Sequence, residues 1–225
     1  TSITFSVSLL IDMTLTSQFK KGNTNKTQWL NKMNDTHYDI GLLGSSRAWW
    51  NINMNTFNTE LELNCINISN NHFPYAEMLL RLKQFYAKGN SIDLLLIQTE
   101  YWAFFDQNES FSNTIYNNIP FLDDTATYNY LSKKSSEWIK YKYIPLWRYS
   151  EHNRQWGVEE YLITLLNKRN PIYDNTGTFF SNNRFYGQES INFKASDSDQ
   201  VNPDFIKLYQ FCDNHNIRTS IFTAP

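Results

Sequence analysis

The sequence predicts an α/β protein built on a parallel sheet, and three observations carry that expectation. An apolar run of strand length at 38–43 and a second at 92–98, nearly continuous in hydrophobic residues, suit strands covered on both faces. Between them lie a third run at 63–68 and an amphipathic stretch from 74 to about 87. Strand, turn, helix and strand in this alternation imply parallel pairing through right-handed crossovers. At 225 residues, 41% hydrophobic and 19% charged, the chain is long enough for one sizeable α/β domain and has the composition of a folded protein.

The chain opens on an apolar segment, 3–13, too short to span a bilayer by itself. Two expectations stand side by side for it: the outer end of a membrane helix or signal anchor that starts upstream, or an ordinary amphipathic N-terminal helix. Lys20, Lys21, Gly22 and the polar residues to Thr27 read as a linker, so residues 1–27 form an N-terminal segment and 28–225 the α/β domain. A short helix at about 28–33 leads into the first strand, and Ala48-Trp49-Trp50 heads a short helix after it. The second strand, 63–68, ends in the polar turn Ser69-Asn70-Asn71-His72. Pro74 opens the next helix at a favoured first-turn position, and Met78, Leu79, Leu82 and Phe85 form its inward stripe. Gly89-Asn90 closes it before the third strand.

From about 105 to 199 the pattern loosens into an insertion, expected as a cap over the strand ends. Helices are expected at 126–141 and 158–168, the first halted by Pro145. The sheet pattern then resumes. Residues 203–215 read as a helix with Phe205, Leu208, Tyr209 and Cys212 on one face, Asn216 ends it, and 218–223 is a fourth strand. Because the sheet pattern stops there, where another active-site loop is due, the domain is expected to be a fragment, incomplete at its C-terminus.

Several function classes are disfavoured. A formal net charge of −2 with no basic run gives no footprint for nucleic acid. With 7 glycines and no Gly-rich phosphate loop, a nucleotide-binding or regulatory flavodoxin-type role is disfavoured. Cys65 and Cys212 form no C-x-x-C pair and read as small buried hydrophobes, and neither a metal site nor a cofactor is expected.

The chemistry-bearing stretch is Gly44-Ser45-Ser46-Arg47, at the end of the first strand. In open α/β sheets, ligands bind outside the carboxyl ends of the strands, and a serine there is served by backbone N–H groups at a helix N-terminus. Ser46 is the candidate nucleophile, with Gly44 allowing the tight turn and close backbone approach. The competing reading is a loop ending in a helix N-cap, a role serine favours. Among the histidines only His72 falls on the correct edge of the sheet to act as a base. His37 is at the wrong end of the first strand, while His152 and His215 read as solvated surface residues. Trp49, Trp50, Trp102 and Phe104 follow the first and third strands, where they either stack on sugar faces or pack the insertion onto the sheet.

On these residues the chain resembles the SGNH (GDSL-like) hydrolase superfamily, in its envelope-associated branch similar to D-alanyl-lipoteichoic-acid transfer proteins. Asp39-Ile40-Gly41-Leu42-Leu43-Gly44-Ser45-Ser46-Arg47 resembles the block that carries the nucleophile. Asn67-Ile68-Ser69 resembles the Asn-x-Gly block of the oxyanion hole, and Gln98-Thr99-Glu100-Tyr101-Trp102 lies where a Gly-x-Asn block belongs. The resemblance implies a flavodoxin-like, three-layer α/β/α fold. It also implies acyl transfer through Ser46, with the backbone N–H groups of Ser46 and Ser69 as oxyanion donors. Gly44, Ser45, Arg47, Asn67, Glu100 and Trp102 would line the site. The substrate would be an acylated polysaccharide or glycolipid and the partner a membrane-bound acyltransferase, in an extracytoplasmic, membrane-anchored setting. Departures are plain: Ser69 replaces Gly, Glu100 stands near the expected Asn and cannot donate when ionised, and no Asp-x-x-His occurs. These residues alone are therefore expected not to turn over an ester. The alternative from another class is a non-catalytic module that binds or presents an envelope glycan.

Overall fold

The computed structural model describes residues 2–22, 24–100, 104, 112, 114–151, 158–166, 175–178 and 200–223. They form an α/β fold around a four-stranded, all-parallel sheet in the order β2-β1-β3-β4. The strands are β1 (His37–Leu43), β2 (Cys65–Asn67), β3 (Ser91–Thr99) and β4 (Arg218–Thr223). β1 pairs with β3 from His37↔Ser91 to Leu43↔Ile97, and β3 with β4 from Leu94↔Arg218 to Thr99↔Thr223.

Side-chain alternation along the strands builds a core on each face of the sheet. Leu43, Ile66, Leu95 and Ile97 pack with Met78, Leu82 and Phe85 of α5 (Tyr75–Tyr86) and with Phe205, Leu208 and Cys212 of the helix Pro203–Asn214. Leu42 and Cys65 pack on the other face with Ala48 of α3 (Ser46–Asn51) and Met54 of α4 (Met54–Leu61). Both cysteines are buried and free, as their apolar settings predict.

The helix ends follow local chemistry. α2 (Lys26–Asn31) starts two residues before the expected position because Asn25 Oδ1 accepts the Gln28 N–H at 2.9 Å. Pro74 is the N-cap of α5, immediately before its first turn, and Gly89 ends that region with a φ of 77°. Asn216 takes a left-handed φ of 56° between the last helix and β4, whose bounds match the expected 218–223. α4 escaped the sequence pattern. No element is expected over its polar Asn- and Thr-rich residues, yet Asn53 Oδ1 caps the Asn55 N–H at 2.9 Å and Glu62 closes the helix at φ 55°.

The insertion after β3 holds a 3-10 helix (Ile115–Phe121), α6 (Thr125–Lys134), α7 (Glu137–Tyr143), α8 (Trp147–Glu151) and α9 (Val158–Leu165); Pro203–Asn214 is α10. The single helix expected at 126–141 is two. Ser135 is extended, and its Oγ accepts the Glu137 N–H at 3.2 Å, a side-chain bond that competes with helix continuation. Its described part packs beside α5 and builds a second core from Ile115, Ile119, Leu122, Leu131, Trp138, Tyr141 and Tyr149 around Phe19. At the other end the Asn202 N–H donates to Phe104 O at 2.8 Å, and the Phe104 ring lies 4.7 Å from Phe205. That aromatic packs against the main core beside α10.

Phe19 belongs to α1 (Ser2–Lys20), which the second core thereby anchors. Asp12 is buried and paired with Arg148, which also donates to Ile119 O at 3.2 Å. Neither α1 nor any other helix among the described residues is long and apolar enough to cross a membrane.

Candidate functional site

β1 leaves toward β2 on one side and the chain returns as β3 on the other, which makes the β1/β3 carboxyl edge a topological switch point. Gly44-Ser45-Ser46-Arg47 and Gln98-Thr99-Glu100 meet there. Gly44 is required by close approach: an added Cβ would lie 2.7 Å from Gln98 Cβ and 2.8 Å from Ala48 Cβ. Its φ is not in the left-handed region, so packing rather than turn geometry selects glycine.

Ser46 is the first residue of α3, half-buried just beyond the end of β1. Ser45 occupies the N-cap position, but its side chain makes no cap bond. The Ser45 hydroxyl instead lies 2.9 Å from Gln98 Oε1 and 3.0 Å from Glu100 Oε1, while the Ser45 N–H donates to Gln98 Oε1 at 2.9 Å. Gln98, 1% exposed, donates through Nε2 to Thr99 O and Glu100 Oε1, both at 3.0 Å. Arg47 Nη1 stands 3.5 Å from Glu100 Oε2. Glu100 thus accepts from Ser45 and Gln98 on one oxygen and meets Arg47 with the other. Ser45, expected only to line the site, is the serine engaged with a carboxylate.

The second block is bound more tightly than an open oxyanion hole requires. Ser69 is fully buried, its N–H donates to Asn67 Oδ1 at 3.0 Å and its Oγ to Leu42 O at 3.3 Å. Asn67 in turn donates through Nδ2 to Ala48 O at 3.2 Å, tying β2 to α3. The Ser69 N–H, expected as an oxyanion donor, is occupied here by Asn67 Oδ1 and serves an oxyanion only if Asn67 yields it.

No hydrogen bond among the described residues joins a histidine to Ser46. His72 is exposed in the turn after β2 at φ 43°. His37 is the first residue of β1, at the opposite end of the sheet, and the His215 ring stacks on Phe211 at 4.0 Å. His152 and Trp102 lie outside the described residues. Trp49 and Trp50 meet edge to face at 4.9 Å on α3, Trp49 against the main core and Trp50 exposed.

His37, Asp39 and Asp93 are the one group among the described residues with metal-ligand geometry, their ligand atoms lying within 4.8 Å of one another. They sit at the amino edge of β1 and β3, and each has a structural partner. Asp39 Oδ2 accepts the Asn64 N–H at 2.7 Å, His37 Nδ1 lies 3.0 Å from Ser91 Oγ and His37 Nε2 3.5 Å from Asp93.

Gln98 is the residue that sequence reasoning missed as part of the site. Its signal was a polar side chain closing a continuous apolar strand, where the register with β1 aims it at Ser45. Comparison of the chain with known protein families, with curated proteins and with solved structures returns no match.

Proposed function

We propose that this α/β chain is a serine-dependent acyl-transfer domain. Within that class its fold reads as the flavodoxin-like, three-layer arrangement of the SGNH type. It would act as an esterase or O-acyltransferase on acyl esters of a cell-envelope glycan, at the extracytoplasmic face of a membrane and beside a membrane-bound acyltransferase.

One observation carries the reading: a half-buried serine and a fixed Ser45–Gln98–Glu100–Arg47 polar network converge on the β1/β3 switch point, where such sheets bind ligands. In the mechanism Ser46 Oγ would attack the ester carbonyl as its proton passes to a base, and the ester C–O bond would break as the alcohol leaves with that proton. Water or a second hydroxyl, giving its own proton to the base, would then take the acyl group and release Ser46. The Ser46 N–H is the first oxyanion donor; one such donor lowers the barrier by about 3 kcal/mol. The Arg47–Glu100 pair would hold the loop and offer polar contacts to a hydroxylated substrate.

A second reading is a non-catalytic glycan-binding module at the same edge. It is favoured by the occupied Ser69 N–H and by the absence, among the described residues, of a histidine bonded to Ser46.

Labelling of the whole protein with a fluorophosphonate separates the readings. Labelling lost in Ser46→Ala and retained in Ser45→Ala supports the enzyme. Labelling that persists in Ser46→Ala overturns Ser46 as nucleophile, and no labelling of a folded protein favours the binding module.

A further inference from the structure

α1 departs from an ordinary surface helix by carrying large apolar side chains on its outward side as well. Its inward stripe begins with Ser8 and buried Asp12 and continues through Leu15 to Phe19. Its outward side carries Ile3, Phe5, Val7, Leu9, Leu10, Ile11 and Met13, each 42–81% exposed. An apolar outer side of this extent, on a helix seated through Asp12, Leu15 and Phe19 and packed beside α9, suits an apolar medium rather than water.

At the foot of this face lies a cavity of about 830 Å³ between α1, the end of α2 and α7. Met13 lines it, so the apolar surface runs into its mouth. Lys20, Lys21, Lys32, Lys142 and Arg148 line the same cavity. Its two carboxylates are already committed, Asp123 to Lys20 and Asp12 to Arg148. Lys21, Lys32 and Lys142 therefore face the cavity with no ion pair among the described residues, in a chain whose overall charge is −2. Lys142 Nζ lies 3.7 Å over the Tyr128 ring, which steadies the ammonium without neutralising it. Partial burial lowers the Lys32 pKa, the direction a bound anion would reverse.

We propose that this cavity receives the phosphate headgroup of an anionic phospholipid while the outer face of α1 enters the acyl boundary of the same leaflet. Apolar burial and lysine–phosphate attraction then act on one surface, the combination that holds interfacial helices to anionic membranes. The inference shares with the proposed function only the placement at a membrane; it does not depend on acyl chemistry at Ser46.

The test is co-sedimentation of the intact protein with sucrose-loaded vesicles of phosphatidylcholine alone or mixed with phosphatidylglycerol. Binding should prefer the phosphatidylglycerol vesicles and fall roughly fivefold for each of Lys21→Gln, Lys32→Gln and Lys142→Gln. Lys133→Gln and Lys134→Gln, on the exposed end of α6, should change it little. Phe5→Ser with Leu10→Ser should weaken binding to both compositions. Equal binding to both compositions, or no loss in the lysine variants, overturns the headgroup site. Calorimetric binding of inorganic phosphate without vesicle binding overturns the lipid in favour of a soluble phosphate. An α1 face consumed by self-association, with no vesicle binding, overturns it in favour of a protein contact. Fluorophosphonate labelling should be unchanged in the lysine variants, so failure of this inference and failure of the acyl-transfer reading are told apart.

Discussion

Ser45 Oγ lies 3.0 Å from Glu100 Oε1 across 55 residues of sequence, and 2.9 Å from Gln98 Oε1. One hydroxyl proton is thus shared between two acceptors on β3 and the residue after it, and the loop that presents Ser46 is held by that bond rather than by a helix cap.

Gln98→Leu keeps the volume of this buried side chain but leaves the Ser45 N–H without its acceptor. An unsatisfied buried donor costs about 1–3 kcal/mol; the Ser45 N–H is only half-buried, so the fall in the urea midpoint should correspond to the lower end of that range. If Ser46 is the nucleophile, labelling should slow as well, because its loop loses an anchor.

Gly44→Ala should destabilise by about 1–3 kcal/mol through overpacking. The new methyl meets Gln98 Cβ and Ala48 Cβ, neither of which is the flexible end of a long side chain. Differential scanning calorimetry checks this, and a melting temperature equal to that of the parent would refute the packing explanation.

Asp12→Ala or Arg148→Ala alone should cost about 3–5 kcal/mol, since each strands a buried charge. Asp12→Leu with Arg148→Met should recover most of the loss, because apolar replacement of both partners removes the desolvation cost. Chemical denaturation of the three variants measures the cycle; equal losses in all three would mean that the pair is not the organising contact between α1 and the insertion.

Stability should decline at alkaline pH. Burial pushes the Cys212 thiol and the Tyr149 phenol up to about 12 from their ordinary values of 9.0 and 10.0. Their contributions are full below the unfolded values. Each then falls by about 1.4 kcal/mol per pH unit as the unfolded chain ionises and the folded one does not, and is lost as pH rises through about 12. Cys212→Ala should flatten the decline that begins near pH 9 in urea melts, and Cys212 should resist thiol reagents until the protein unfolds.

Much of the fold was legible from short-range signals. β3 announced itself as an apolar run, β4 was bounded by Asn216 and α5 by Pro74 and Gly89, because strand patterning and end chemistry are written within a few residues. The position of Ser46 at the carboxyl end of β1 was legible for the same reason.

Which serine meets Glu100 was decided only by tertiary structure. Residue spacing cannot distinguish Ser45 from Ser46, since the choice depends on the β1–β3 register and on how the Gln98 side chain fills the space that Gly44 leaves. The occupied Ser69 N–H follows from the Asn67 rotamer, which β2 pairing and the α3 carbonyls select. The split between α6 and α7 turned on one Ser135 side-chain bond. The lysine cavity gathers residues from α1, α2 and α7 that no local window contains. Sequence alone therefore determined the four strands, most of the helices and the place of the Gly44–Arg47 turn at the carboxyl end of β1. Long-range pairing and packing decided which polar atoms face one another, because hydrogen-bond partners are chosen by register and rotamer after the chain has folded.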